Sequence, residues 1–274
     1  MPLFGELKDL KRNDMIYRIH FLEFVCGQLV VHTLTRTLTS CDTLVRSSPD
    51  HEMKEDIHQY TGEDIVVEYD VNRCIHAREC VRGLPDVFDP DKRPWIEPDN
   101  AAVEELMSVI MQCPTGALQF ERTDTDYEEP VPEQNTVSVV PDGPLYLAGD
   151  VEITSPDETV LLRDTRVALC RCGASSNKPL CDNSHEAVEF EASGTISGGH
   201  TSHSPSERDG TLRVTPLPDG PLRVEGRFEM QGHDGGAKRC GDGATLCRCG
   251  GSNDKPSCDG THEEIGFSSG EASE

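Results

Sequence analysis

The sequence predicts an α+β protein in which a small domain is followed by a larger, β-rich domain that arose by duplication. The chain has 274 residues, which is enough for about two domains. Its 24 glycines and 18 prolines favour short elements joined by loops over long helices. A shift of 77 residues aligns one stretch of the chain with another without a gap, and this identifies an internal repeat.

The charge of the chain is strongly acidic. Asp and Glu number 50 against 25 Lys and Arg, a net charge of -25. Such a surface repels phosphate backbones and anionic lipids, so neither a nucleic-acid partner nor a membrane partner is expected. Twelve cysteines without a recognisable export signal favour a cytoplasmic location, where clustered thiols more often bind metal than form disulfides.

Residues 1–52 differ from the rest and form a poorly determined N-terminal extension. The first fifty residues carry six basic and six acidic side chains, so the whole net charge lies beyond them. The apolar run at 19–34 is too short and too polar to span a bilayer. It is interpreted either as an appended helix or as the product of a mis-assigned start, with the natural chain beginning near Met53. The second interpretation is favoured.

The duplication covers a first repeat at 136–191 and a second at 211–268, joined by a flexible loop at 192–210 and followed by a tail at 269–274. Of the 54 positions from 137 to 190, 22 are identical to those 77 residues later. Apolar residues alternate in both copies, which predicts strands with one buried face. These residues are Leu145, Leu147, Val151, Ile153, Leu222, Val224, Phe228 and Met230. Intervening positions such as Tyr146 and Arg223 diverge, as expected of a solvated face.

Each repeat carries three cysteines and a histidine at identical spacing. They are Cys170, Cys172, Cys181 and His185 in the first copy, and Cys247, Cys249, Cys258 and His262 in the second. Three thiolates and an imidazole suit a structural zinc site, which is one interpretation. A C-x-C pair followed by a histidine four residues after the last cysteine better suits a two-iron cluster.

Both segments, CRCGASSNKPLCDNSH and CRCGGSNDKPSCDGTH, resemble the CDGSH iron-sulfur family. The resemblance implies a 2Fe-2S cluster in each repeat, held by the three cysteines and the histidine. Asn183 replaces the family glycine, and because Asn tolerates positive φ we expect the turn to be kept. Family members with one motif pair as homodimers, which implies that this chain is a monomer whose repeats form an intramolecular pseudo-two-fold pair.

Two lysines occupy the same motif position, at Lys178 and Lys255. A cation beside an anionic cluster stabilises its reduced form, so these residues are candidates for tuning the clusters. A solvated lysine kept by duplication explains them equally well. The motif aspartates, Asp182 and Asp259, are expected to accept hydrogen bonds from local backbone amides.

A third group of cysteines, Cys74, Cys80 and Cys113, precedes the repeats. The pattern predicts strands at 65–67 and 94–96 and a helix at 100–112 whose apolar stripe leads to Cys113. The stretches CIHARECVRGLPDVFD and CPTGAL resemble divergent single-cluster ferredoxins over 63–122, with Ala77 where a further cysteine stands. The resemblance implies a 3Fe-4S cluster, or a 4Fe-4S cluster whose fourth ligand is water or His76. Residues 123–135 are predicted to be an acidic linker.

The motifs favour an electron-transfer or redox relay protein that is not an enzyme, with two 2Fe-2S clusters and one 3Fe-4S or 4Fe-4S cluster. Its partner would be a redox protein or an apo cluster acceptor. The alternatives are cluster storage, transfer or redox and pH sensing, and a structural zinc module. Neither a nucleotide-binding motif nor a nucleophile-base constellation is found in the sequence.

A single histidine ligand predicts pH-dependent clusters, because neutral imidazole takes up a proton far nearer neutrality than an iron-bound thiolate does. Replacing His185 or His262 by Cys is expected to abolish the pH dependence of that cluster's release. Cluster absorbance followed from neutral to acid pH measures it. An unchanged pH profile in both variants would contradict the expectation.

Overall fold

A computed structural model describes residues 56–196, 210–233 and 238–270 with their side chains, and the backbone alone of 20–25 and 28–33. The chain divides into two compact units, residues 1–47 and 48–274. The first unit contains β1 (His20–Val25) and β2 (Gln28–Thr33), which pair antiparallel. The appended helix, the less favoured of the two interpretations of this run, is therefore wrong. Its β-branched and aromatic residues and the intervening Gly27 favour a hairpin.

Parts of the predicted extension, loop and tail lie outside the described residues, namely 1–19, 34–55, 197–209 and 271–274. Within the described ranges, no helix is long and apolar enough to cross a membrane. A start of the natural chain near Met53 stays a prediction.

Residues 56–123, here called the first domain, contain a three-stranded antiparallel sheet with two helices packed beside it. The strand order is β3-β4-β5, and the core lies between this sheet and the helices. The elements are β3 (Ile57–Thr61), β4 (Ile65–Asp70), a 3-10 turn (Val71–Arg73), α1 (Glu79–Gly83), a second 3-10 turn (Pro98–Asn100), α2 (Val103–Ile110) and β5 (Leu118–Arg122).

Most elements expected in the first domain are present. The strand beginning at Ile65 is confirmed, and α2 forms inside the predicted helix, with Leu106 and Ile110 fully buried on its apolar stripe. The strand expected at 94–96 is wrong. Only one bridge joins Phe88 and Ile96 there, and Pro94 lacks the N–H that a continued ladder needs. No sequence pattern predicted β3, because its residues are mostly exposed and do not alternate.

The two repeats build one six-stranded sheet and place a short helix after each cysteine-rich loop. The first repeat contains β6 (Thr136–Val139), β7 (Leu145–Thr154), β8 (Val160–Leu169) and α3 (Ser184–Ala187). The second contains β9 (Leu212–Pro216), β10 (Leu222–Gly232), β11 (Lys238–Leu246) and α4 (Thr261–Glu264).

The short strand of each repeat pairs with the long strands of both. β6 runs antiparallel to β7 of its own repeat and parallel to β10 of the other. β9 correspondingly runs antiparallel to β10 and parallel to β7. The apolar residues of both repeats consequently form a single core.

The predicted alternation of buried residues along β7 and β10 is confirmed, since all eight apolar positions named above are at most 6% exposed. A bulge interrupts each strand, at Gly149 and at Gly226, whose φ angles are +143° and +112°. A Cβ at Gly149 would lie 2.1 Å from the side-chain oxygen of Asn135, so only glycine fits this approach.

Asn135 ties the start of β6 to both repeats. Its side-chain nitrogen donates to the carbonyl oxygens of Gly210 and Arg227, at 3.2 and 3.0 Å, and its side-chain oxygen accepts from Asp150 N at 3.0 Å. The residue is only 1% exposed. The end of the predicted linker is thus a fixed part of the sheet.

The first domain is held against the first repeat by buried charges. Arg73 donates to a carboxylate oxygen of Asp164 at 2.6 Å and to the backbone oxygen of Thr115. Arg166 on β8 pairs with Glu129 at 2.7 Å and donates to the carbonyl oxygens of Ile110, the last residue of α2, and of Cys113. Because Glu129 lies in the predicted linker, that segment is also packed against the repeat.

Replacing Asn135, which is itself buried, by Ala removes the hydrogen-bond partner of three backbone groups and is expected to lower the free energy of unfolding by about 2 kcal/mol. Chemical denaturation measures the change. Asn100→Ala is the control, because its side chain bonds at an exposed site. A loss no larger than that of the control, about 0.5 kcal/mol, would contradict the role of Asn135.

Candidate iron-sulfur sites

The residues predicted to bind metal in each repeat lie on two backbone segments that face one another. Cys170 directly follows β8, and its N–H donates to Pro179 O at 2.9 Å, while Cys181 N donates to Ala168 O at the same distance. The second repeat has the same two bonds, from Cys247 and Cys258. This short ladder brings the first two cysteines beside the third, although eight or more residues separate them.

The four side chains form two close pairs in each repeat. Cys170 Sγ lies 3.7 Å from Cys172 Sγ, and Cys181 Sγ lies 3.5 Å from His185 Nδ1. The corresponding distances in the second repeat are 3.8 and 3.4 Å. Two thiolates bound about 2.3 Å from one tetrahedral ion stand about 3.8 Å apart, and a thiolate and an imidazole about 3.6 Å apart. Each pair therefore fits two ligands of one metal ion.

The thiols differ in how readily they ionise. Burial raises the pKa of Cys181 to about 12 and that of Cys247 to about 11. A hydrogen bond from Cys170 lowers the pKa of Cys172 to about 7. Since thiolates bind metal, loading the sites must displace protons from the buried cysteines.

The turn between the last cysteine and the histidine of each motif depends on the aspartate that follows that cysteine and on the next residue. Asp182 accepts hydrogen bonds from the amides of Ser176 and Ser184, at 2.8 and 3.0 Å, and Asp259 does the same in the second repeat. The expected structural role of both aspartates is confirmed. Asn183 has φ +71°, as expected from its tolerance of the left-handed region, and the equivalent Gly260 has φ +90°.

A buried arginine sits between the first two cysteines of each motif. Arg171 is 1% exposed, donates to the carbonyl oxygens of Gly143 and Ser193, and lies 5.3 Å from the centre of the Phe190 ring. Arg248 contacts Gly220 and Phe267 in the same way. These cations fasten each cysteine-rich loop to the turn before its long strand.

The candidate tuning lysines are also bound to backbone. Lys178 Nζ donates to Ser175 O at 2.6 Å, and Lys255 Nζ donates to Ser252 O. Both lysines brace the loop between the second and third cysteines. Neither lysine is therefore the freely solvated side chain that the alternative explanation, retention by duplication, predicts.

The cysteine-rich loops of the two repeats meet at their glycines. A Cβ at Gly173 would lie 2.6 Å from Cys249 O, and one at Gly250 would lie 2.6 Å from Cys172 O. The two loops thus approach each other backbone to backbone, with φ +81° and +80° at the two glycines.

Cys74, Cys80 and Cys113 of the first domain line one cavity. Cys74 follows the 3-10 turn, Cys80 lies in α1, and Cys113 follows α2, with its N–H donating to Ile110 O. Burial raises the pKa of Cys80 to about 11, and the nearby Cys113 thiol contributes. The rest of the lining is largely apolar and comprises Tyr69, Ile75, Ala77, Arg78, Glu79, Trp95, Pro114, Thr115, Ala117 and Leu118.

The loop between Cys74 and Cys80 turns sharply, with positive φ at His76 and Arg78. Ala77, at the position of the absent cysteine, lines the cavity. His76 is exposed and is not part of the lining. His76 is therefore not placed with the three cysteines around this cavity.

Comparison with known proteins agrees with this geometry. Residues 60–123 match the family model described as a divergent 4Fe-4S mono-cluster. Residues 142–186 and 219–263 each match the model described as an iron-binding zinc finger of CDGSH type. The chain thus carries a divergent 4Fe-4S mono-cluster domain followed by two CDGSH-type iron-binding motifs. Both resemblances noted in the sequence are confirmed.

A 61-residue part of the chain also has relatives among curated proteins. The chain is 43% identical over 61 residues to "Uncharacterized protein YjdI" of Escherichia coli (strain K12), and equally to that of Escherichia coli O157:H7. The match covers 80% of the relative and 22% of this chain. No solved structure matches the chain significantly.

Sequence reasoning missed the buried charges that hold the CDGSH-type loops and the mono-cluster domain, including Arg171, Arg166 and Arg73. The signal for Arg171 was its identity in both motifs. Tyr146, expected on a solvated face, is instead half-buried, because the mono-cluster domain covers that face of the first repeat. Burial, together with the Cys181 and Cys113 thiols, raises its pKa to about 12.

Arg171→Met keeps the length of the side chain but removes its hydrogen bonds, and is expected to lower the free energy of unfolding by about 2 to 4 kcal/mol. Denaturant unfolding of the metal-free chain measures this without interference from cluster loss. Arg223→Met is the matched control, because Arg223 is about half exposed and pairs only with surface carboxylate Glu225 among the described contacts. Equal stability of the two variants would refute the role of Arg171.

Proposed function

We propose that the protein is an electron carrier with three iron-sulfur clusters on one chain. The observation that carries the proposal is the paired spacing of donors in both CDGSH-type motifs, together with three thiols that face one cavity in the mono-cluster domain. When bound, such clusters supply one-electron oxidation and reduction. The protein is not proposed to be an enzyme.

Each repeat is proposed to hold a 2Fe-2S cluster. Cys170 and Cys172 would bind one iron, and Cys181 with His185 Nδ1 the other, with Cys247, Cys249, Cys258 and His262 in the same roles. A single zinc ion requires all four donors around one point. The pairwise arrangement of the donors supports the cluster.

The mono-cluster domain is proposed to hold its cluster through Cys74, Cys80 and Cys113. Three cysteines suit a 3Fe-4S cluster, or a 4Fe-4S cluster with water at the remaining iron. The apolar lining, with Tyr69 and Trp95 packed edge to face at 4.8 Å, limits the access of water to this site.

The repeats are proposed to form an intramolecular pseudo-two-fold pair within a monomer. Two observations support this arrangement: the reciprocal pairing of β6 and β9, and the equal 2.6 Å approaches at Gly173 and Gly250. The buried Arg171 and Arg248 would set a positive charge beside each cysteine-rich loop, which favours the more negative, reduced state. The proposed partner is a redox protein with a basic face, because the chain carries a net charge of -25.

Transfer of clusters to an apo acceptor is the second candidate function. Its support is the position of His185 and His262, which are only half-buried at the start of short helices and are thus open to protons from solvent. Release of cluster to an apo ferredoxin, faster than reversible reduction, would favour this function over electron transfer.

Iron, zinc and acid-labile sulfide, measured on protein purified without oxygen, test the proposal. Two 2Fe-2S clusters and a third cluster predict about seven or eight irons per chain, with seven for 3Fe-4S and eight for 4Fe-4S. The electron paramagnetic resonance spectrum of the isolated protein separates these two cases. Stoichiometric zinc with little sulfide, persisting after anaerobic reconstitution, would overturn the proposal.

Matched cysteine variants locate the clusters. Cys258→Ser is expected to lose the two irons of the second repeat, whereas Cys240→Ser is expected to lose none, because Cys240 lies on β11 outside the motif. Equal iron content in these two variants would contradict the ligand assignment.

Ala77→Cys supplies the absent thiol and is expected to favour four irons in the mono-cluster domain.

A further inference from the structure

One face of the first repeat is covered, while the equivalent face of the second is open. Arg166 and Ala168 on β8 are buried, at 6% and 2% exposure. Their counterparts 77 residues later, Gly243 and Thr245 on β11, are exposed. The difference arises because the mono-cluster domain packs on β8 and on no equivalent strand among the described residues.

The residues that make this contact differ between the repeats. Asp164 and Arg166, which bind the mono-cluster domain, correspond to Gly241 and Gly243 in the second repeat. Two glycines offer neither the carboxylate that Arg73 requires nor the guanidinium that binds the end of α2. The second repeat therefore lacks the chemistry to hold the domain, and docking is specific to the first.

The contact brings two proposed ligand sets together. Ile75, Ala77, Tyr146, Ala168 and Cys181 form one apolar group, here called the shared wall. Ala77 lies three residues from both Cys74 and Cys80, and Cys181 is a ligand of the first CDGSH-type site. Nearby, Asn177 of the first motif loop donates to Asn72 O at 3.2 Å. Because Ile75 and Ala77 also line the mono-cluster cavity, the shared wall contacts both sites.

A wall of apolar side chains has a lower dielectric response than water, so a charge that changes on one side is felt on the other. We propose that the shared wall couples the mono-cluster site to the first CDGSH-type site, and leaves the second CDGSH-type site electrically independent of the mono-cluster domain. The two CDGSH-type sites are then unequal despite their identical ligands. This inference rests on the proposed function, because it requires clusters in both sites.

Magnetic coupling tests the pairing in the unaltered full-length protein. The electron paramagnetic resonance lines of the mono-cluster site are expected to broaden or split at the potential where the first CDGSH-type site becomes paramagnetic. Cys172→Ser, which removes a ligand of the first site, is expected to abolish this change. Cys249→Ser, its counterpart in the second repeat, is expected to leave the change in place. Insensitivity of the mono-cluster lines to both variants overturns the proposal.

A charge placed in the shared wall tests the electrostatic part. Tyr146→Arg introduces the residue type that the second repeat carries at Arg223, and the positive charge is expected to raise the midpoint potentials of the mono-cluster site and the first CDGSH-type site together. The reciprocal variant, Arg223→Tyr, is expected to leave the mono-cluster potential unchanged. A Tyr146→Arg variant in which only the first CDGSH-type potential shifts refutes the coupling.

Iron and sulfide content distinguishes a failure of the proposed coupling from a failure of the proposed function. If both sites are loaded and the mono-cluster signal still ignores the first CDGSH-type site, the coupling is wrong while the proposed function stands. If neither site binds iron and sulfide after anaerobic reconstitution, both are wrong.

Discussion

The exchange of short strands between the repeats is the constraint on which the rest of the structure depends. β6 and β9 each pair with a long strand of both repeats, so neither repeat can complete its sheet or bury its apolar residues alone. The single core that results holds the two cysteine-rich loops against each other at Gly173 and Gly250. Asn135 secures the arrangement where the chain enters the sheet.

Buried arginines donate hydrogen bonds to backbone carbonyl groups in both CDGSH-type motifs and in the mono-cluster domain. Arg171 and Arg248 donate to carbonyl groups of the turn before each long strand, and Arg166 donates to those at the end of α2 in the mono-cluster domain. The guanidinium group suits this work because it offers several donors in a fixed plane and keeps its charge when buried. Each of these three buried arginines thus joins a turn or a helix end to the segment that carries the arginine.

Duplication supplied two identical ligand sets, and later divergence made their surroundings different. Ligand positions, aspartates and arginines are kept in both motifs, whereas the outer strand of each repeat has changed. Asp164 and Arg166 bind the mono-cluster domain, while Gly241 and Gly243 leave the second repeat open. The motifs changed little because the geometry of a metal site tolerates few substitutions. The solvent-exposed face of an outer strand accepts many substitutions until another domain packs on it.

The sequence by itself determined the duplication, the two CDGSH-type motifs, the buried faces of β7 and β10 and the helix that leads to Cys113. All of these depend on local spacing and periodicity, which a linear pattern records. The tertiary structure decided the strand exchange, the buried arginine contacts and the covering of Tyr146 by the mono-cluster domain. It also corrected the N-terminal helix to a hairpin and the strand at 94–96 to a single bridge. These features depend on which distant segments pack together, and a pattern of neighbouring residues does not specify that.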